Sequence, residues 1–194
     1  MCHPLAFSLS QGPVALRPLG AADAPTLLRW LTDPRVLEYW EGPSAVFTPQ
    51  RIQGDFYEDP DPTSRCVVQW EGQDVGYVQA YPLDGAGLVE YGLAPTGETV
   101  WGLDQFIAEP DLWGKGVGRR FLRLLCGHLF SQQRVNRIVL DPHVDNERAI
   151  RCYEACGFRK QKLLPRHEMH DGVLVDCWLM ACTPASFVPG PPED

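Results

Sequence analysis

The stretch LWGKGVGRRFLRLL, residues 112–125, alternates glycine with other residues over positions 114–118 and then becomes an apolar run carrying basic side chains. Glycine at every other position lets a chain turn tightly and present successive backbone N–H groups with no Cβ in the way. From Gly118 the apolar residues recur at helical spacing: Phe121, Leu125 and Leu129 form one stripe, and Leu122, Cys126 and Phe130 its neighbour. A helix that starts where such a loop ends adds the positive end of its dipole to those donors. The loop then suits a phosphate-bearing ligand, with Lys115, Arg119 and Arg120 at its rim. A tight strand-to-helix turn with solvated basic residues uses the same glycines, so the loop by itself leaves both readings open.

Spacing excludes two phosphate-binding motifs. A Walker loop places Ser or Thr after Gly-Lys to reach magnesium, whereas Lys115 is followed by Gly116. A dinucleotide fingerprint requires G-x-G-x-x-G and an acidic residue about 20 positions further on. Here the third glycine comes one residue early, and the later region reads Val135, Asn136, Arg137, Ile138.

Working outward, TVWGLDQFIA (99–108) is an apolar run with β-branched and aromatic members, a strand that delivers the chain to the loop. Downstream, NRIVLDP (136–142) is a short strand, and NERAIRCYEACGF (146–158) a helix capped by Asn146 and stopped at Gly157. RHEMHDGVLVDCWLM (166–180) predicts a closing hairpin that turns at Asp171-Gly172. Upstream, SRCVVQW (64–70) and VGYVQAYPL (75–83) alternate around Glu71-Gly72-Gln73-Asp74 and predict another hairpin, followed by a glycine-rich loop over 84–99. VALRPL (14–19) reads as a strand. DAPTLLRWL (23–31) reads as a helix with Asp23 at its N-cap and Asp33-Pro34 as its stop, and TPQRIQGDFYEDP (48–60) as a second helix, with Thr48 as cap and Pro49 at its first position. This order predicts a mixed α/β (α+β) fold, a mostly antiparallel central sheet flanked by helices with one parallel crossover.

The chain has 194 residues, 44% of them apolar, which suits a single domain over 14–181 with residues 1–13 and 182–194 loosely held. Seventeen Lys+Arg against twenty-five Asp+Glu give a net charge of −8, which argues against nucleic-acid or anionic-membrane partners and suits a cationic ligand. The seven cysteines are an odd set without a C-x-x-C pair and read as small core residues of a reducing compartment. With no signal-like leader and no apolar run near the roughly 20 residues of a membrane span, a cytoplasmic protein is expected.

The loop in DLWGKGVGRRFL (111–122), followed about 30 residues later by NERAIRCYEACGF, resembles the GNAT superfamily of acetyl-CoA-dependent N-acetyltransferases. The resemblance runs from Val14 to about Ala181, the first motif matching the family's pyrophosphate loop and the second its N-x-x-A-x-x-x-Y-x-x-x-G-F signature. Trp113 departs from it, standing where the family has Gln or Arg. LEYWEG, GYVQAY, GLDQFIA, LDPHVDN and AIRCYEACGF stand in the order found in the aminoglycoside 6'-N-acetyltransferases. A second departure lies at GAGLVEYGLAPTGETVW (85–101), where those enzymes carry a Trp- and Glu-rich flap.

The resemblance implies acetyl-CoA as cosubstrate, held by Trp113, Gly114, Lys115, Gly116, Val117, Gly118 and Arg119, with Asn146 and Ala149 from the second motif. It implies that Phe106, Ile107 and Ala108 offer backbone N–H groups to the thioester and pantetheine, and that Tyr153 donates a proton to the departing sulfur. Asp104 sits within an apolar strand, where an ionised carboxylate is costly unless it has partners or a task. Neighbouring backbone or an arginine would satisfy it structurally; the resemblance favours a task, to attract a cationic amine and take its proton, directly or through water. Trp40, Glu41, Gln79, Tyr81, Asp104 and Asp141 are the candidates for holding that amine, by stacking and charge pairing. The acceptor expected is the 6'-amine of an aminoglycoside, with a siderophore precursor such as hydroxylysine, or a polyamine, as alternatives. The rival of another class is a noncatalytic acyl-CoA or nucleotide-binding module. His167 and His170 read as surface residues, His3, His128 and His143 as isolated ones, so no metal is expected; the chain is expected to act as a monomer or homodimer.

Overall fold

The computed structural model describes residues 7–58 and 62–190. Eight strands form one sheet in the spatial order β1 (Leu9–Gln11), β2 (Val14–Pro18), β3 (Ser64–Trp70), β4 (Gln73–Pro82), β5 (Val100–Ile107), β6 (Arg137–Leu140), β8 (Val173–Cys182) and β7 (Arg159–His170). Among the described residues β5 and β6 are the one parallel pair, and the chain crosses between them through α5 (Val117–Ser131). The mixed, mostly antiparallel sheet predicted from the motif order is therefore present.

Strand alternation sorts the side chains into two layers. Cys66, Val68, Val78, Ala80 and Leu103 point to one face, against Phe121, Leu122, Leu125 and Leu129 of α5 and Ile150 and Tyr153 of α6 (Glu147–Ala155). Val67, Tyr77 and Phe106 point to the other, beneath α1 (Ala24–Trp30), α2 (Pro34–Leu37) and α3 (Pro49–Gln53). The glycine loop thus sits where β5 hands the chain to its main covering helix.

Several local expectations give way to stronger partners. Asp23 precedes α1, but its carboxylate turns back to the Gly20 N–H and takes a two-pronged grip from Arg17 at 2.8 Å, so it does not cap the helix. Asp33-Pro34 starts the short α2, because the Asp33 carboxylate accepts the Arg35 N–H at 2.9 Å. The second predicted helix ends at Gln53 and continues as a wider π turn to Glu58, and residues 59–60 lie outside the described part. Within 84–99, Asp84 accepts the amides of Ala86 and Gly87 and nucleates α4 (Gly85–Glu90) in spite of two glycines.

The described parts of both termini are packed rather than loose. Residues 9–11 pair with β2, Phe7 is 3% exposed against the α5 layer, and Phe187 stacks edge-on to Phe130. Isolated aromatics carry no periodicity, so this packing has no local signal; residues 1–6 and 191–194 lie outside the described part. Phe7→Ala is expected to lower the unfolding free energy by about 3 kcal/mol, read from the shift in urea midpoint at constant slope.

Candidate active site

Beyond Gly102 the two central strands part. β6 pairs with β5 only over Val100–Gly102, whereas β5 runs on to Ile107 along β4. A cavity of about 650 Å³ fills the opening and is lined from both faces of the sheet.

The ladder decides which amides face it. Residues of an antiparallel strand alternate between facing and turning away from the partner. Ala108 N–H bonds Val75 O at 2.8 Å, and Leu83 N–H bonds Val100 O at 2.9 Å. The even-numbered residues of β5 therefore face β4, while Gln105 and Ile107 face the opening. This corrects two expectations: Phe106 contributes its ring but not its amide, and Ala108 lies outside the lining altogether. Gln105 takes their place, a position whose strand parity is readable only once the neighbour is known.

At one end of the cavity, Gly114 and Gly116 adopt φ of 75° and 87°, a left-handed backbone that L side chains avoid, and a Cβ on either would meet open space. Gly116 caps α5, so the amides of Val117, Gly118 and Arg119 precede the first helical bond, Arg120 N–H to Gly116 O. The loop therefore fits a diphosphate: its donors are spare, its mouth is free of side chains, and Arg119 lines it. Lys115 is not among the residues that line the cavity. Trp113 donates its indole N–H to Ile107 O at 2.8 Å and stacks beneath the Arg148 guanidinium, tying the loop to the end of β5. Asn146 and Ala149 line the same wall, where the Asn146 side chain caps α6 by accepting the Ala149 N–H.

Tyr153 lies between the loop and the acidic end. Gln105 Nε2 donates to its hydroxyl oxygen at 2.5 Å, which leaves the phenol's own proton available, and burial holds that proton more tightly than in an ordinary tyrosine. Across the opening, Asp104 is half-buried opposite Gln79 on β4. Gln79 Nε2 donates to Oδ2 at 2.7 Å and the Tyr81 hydroxyl to Oδ1 at 3.4 Å. Tyr81 can lie flat over β5 because residue 102 is glycine: a Cβ there would fall 2.4 Å from the ring. Burial first, then the charge of Asp141, pushes the Asp104 carboxyl up to about 7 against those two hydrogen bonds.

Further out, Asp141 accepts from His167 at 3.0 Å and Glu168 pairs with His143 at 3.0 Å. These hydrogen bonds raise both imidazoles above their ordinary range. The expectation of surface and isolated histidines is thus overturned for both: each lies deep in the cavity wall, beside a carboxylate 25 or 26 residues away in sequence. Tyr91 from α4 closes this end beside Tyr81. Glu41 lines the cavity but is held by Arg51, and Trp40 packs edge-on against Phe106 at 5.0 Å.

Residues 20–165 match the family model described as acetyltransferase (GNAT) domain. An aminoglycoside N(6')-acetyltransferase type 1 of Klebsiella pneumoniae is 32% identical over 155 residues, 78% of this chain and 77% of the relative. A spermine/spermidine N(1)-acetyltransferase of Bacillus subtilis is 35% identical over 85 residues, 41% of this chain and 55% of the relative. The solved structure of AAC(6')-Ib in complex with ribostamycin and coenzyme A superposes with a TM-score of 0.72 at 28% identity, covering 90% of this chain and 96% of that one.

The poorly solvated Asp104 carboxylate has a cost that can be read without any ligand. Its folded-state pKa of about 7 lies above the ordinary carboxylate value of 3.8, so its contribution is most favourable below the latter and is lost as pH rises toward 7. Asp104→Asn is therefore expected to gain thermal stability over the wild type progressively from pH 4 to pH 7 and level off above, on the order of a few kcal/mol at pH 8. Paired melting curves across that range check this.

Proposed function

Because the chain belongs to the GNAT acetyltransferase family, we propose that it transfers acetyl from acetyl-CoA directly to a primary amine, the 6'-amine of an aminoglycoside. The observation that carries this reading is the meeting, in one cavity, of a spare-amide glycine loop, an available phenol proton and a carboxyl held near neutrality.

Acetyl-CoA, when bound, supplies the thioester carbon that the amine attacks. The amides of 117–119 and the helix dipole hold its diphosphate, and Gln105 and Ile107 present backbone donors along the opening. Asp104 attracts the ammonium and removes its proton, a transfer that a carboxyl at about 7 performs far better than one at 3.8. Tyr153, oriented by Gln105, offers its O–H to the sulfur as negative charge develops there. The remaining cationic groups of the acceptor meet Asp141, Glu168 and Glu90, which line the outer cavity. The relation to an aminoglycoside N(6')-acetyltransferase over most of both chains supports the sugar as acceptor. A polyamine is the second reading, supported by the partial relation to a spermine/spermidine acetyltransferase and by α4 standing at 85–90, within the stretch where the sequence departs from the aminoglycoside enzymes.

Thiol release from acetyl-CoA over kanamycin-like sugars, hydroxylysine and polyamines separates these acceptors. Turnover with the sugars is expected; turnover confined to polyamines would replace the acceptor, and none with any amine would leave only a binding module. On the preferred amine, kcat/KM is expected to rise with pH as Asp104 ionises through about 7 and then flatten. Asp104→Asn should lower kcat/KM by about 100-fold or more at pH 8 and remove that limb. Gly116→Glu places a carboxylate on a left-handed backbone at the diphosphate site and is expected to raise the KM for acetyl-CoA at least tenfold, with the acceptor KM little changed.

A further inference from the structure

We propose that His143, Glu168 and Cys177 form a binding site for a divalent transition-metal ion of zinc's chemistry at the acidic end of the cavity. The three come from separate segments that the sheet brings together. After Pro142 the chain runs on as an added strand beside β8: Pro142 O accepts the Trp178 N–H at 2.9 Å and Val144 N–H bonds Asp176 O at 3.1 Å. His143 and Cys177 are thereby direct cross-strand partners. Glu168 enters from β7 just after a register shift between Leu164 and Glu168.

Their ligand atoms all lie within 4.8 Å of one another. Glu168 Oε2 is 3.0 Å from His143 Nε2 and 3.8 Å from Cys177 Sγ. A tetrahedral zinc ion, with bonds of about 2.0–2.3 Å, holds such atoms about 3.3–3.8 Å apart. The side chains are therefore nearly placed already. One nitrogen, one carboxylate oxygen and one sulfur form a set that zinc accepts and that magnesium or calcium does not favour.

Asp141 and Glu90 line the same cavity and add negative charge that favours a cation. The charges balance on binding: thiolate and carboxylate offset the dication, while the thiol proton and any proton on His143 leave for solvent. The His170 ring packs edge-on to His143 at 4.7 Å and supports that imidazole.

His143 and Glu168 line the cavity, so the ion's fourth position opens toward it. Glu168 is also among the charges acting on Asp104. An ion here cancels part of the field that attracts an ammonium and leaves the glycine loop at the other end untouched.

Tag-free, metal-stripped protein titrated with Co²⁺ tests the site. One equivalent is expected to bind, with a thiolate-to-cobalt charge-transfer band and tetrahedral ligand-field bands, both displaced by Zn²⁺. Cys177→Ala should lose the charge-transfer band, and Glu168→Gln should bind at least tenfold more weakly. Zn²⁺ should raise the melting temperature of the wild type but not of Cys177→Ala, whose metal-free melt reports whether it folds. Absence of stoichiometric binding to the wild type, or a band that survives in Cys177→Ala, would overturn the proposal. If an amine is turned over, Zn²⁺ should raise its KM and spare that of acetyl-CoA; a rise in the acetyl-CoA KM alone would place the ion elsewhere. If no amine is turned over, the spectroscopic arms still decide.

Discussion

The parting of β5 and β6 is the constraint from which the site follows. A parallel pair this central is normally closed along its length, yet pairing stops at Gly102 and Val139. β6 instead stays with β8 beyond that point: Pro142 O accepts the Trp178 N–H, and Val144 N–H bonds Asp176 O. β5 meanwhile is held to its end by β4, with Ala108 still bonded to Val75. One strand edge is therefore left with unpaired amides over Gln105 and Ile107. An unpaired buried edge is costly, and a ligand with its own amides and carbonyls is a means of satisfying it. The same opening lets side chains of the two sheet faces, Asp104 on one and Tyr153 on the other, share a cavity.

Stability is given up for this. Asp104 and Asp141 are like charges in a poorly solvated place, and the hydrogen bonds from Gln79 and Tyr81 only partly offset their repulsion. The imidazoles of His143 and His167 neutralise part of the remainder when protonated, and Glu41 is already paired with Arg51. What remains is a net negative pocket that a polycation would relieve. On the proposed function, relief of that repulsion adds to the contacts a polycationic acceptor makes.

The parts legible in the sequence are those whose determinants are local. The glycine alternation at 114–118, the apolar stripe from Phe121, the Asn146 cap and the Asp171-Gly172 turn each carry their signal within a few residues, and each is found as expected. Asp104 stood out because an acid inside an apolar strand is anomalous by itself. The pairings His143 with Glu168, His167 with Asp141 and Gln105 with Tyr153 join residues 25 to 48 apart and depend on strand order and on the register shift in β7. No residue type or spacing announces them. Phe106 and Ala108 failed as backbone donors for the same reason: a strand's sequence does not say which edge its neighbour consumes.

The acidic end owes part of its outer wall to α4. α4 begins on Asp84, whose carboxylate caps two amides, and ends with Lys162 from β7 bonded to Gly92 O. Between these fixed points it delivers Glu90 and Tyr91 to the cavity. Tyr91 is 6% exposed and lies beside Tyr81, and burial keeps both phenols neutral. On the proposed function, α4 seated on β7 and the carboxylates of β6 and β7 are the features that would meet the acceptor, and both stand apart from the glycine loop.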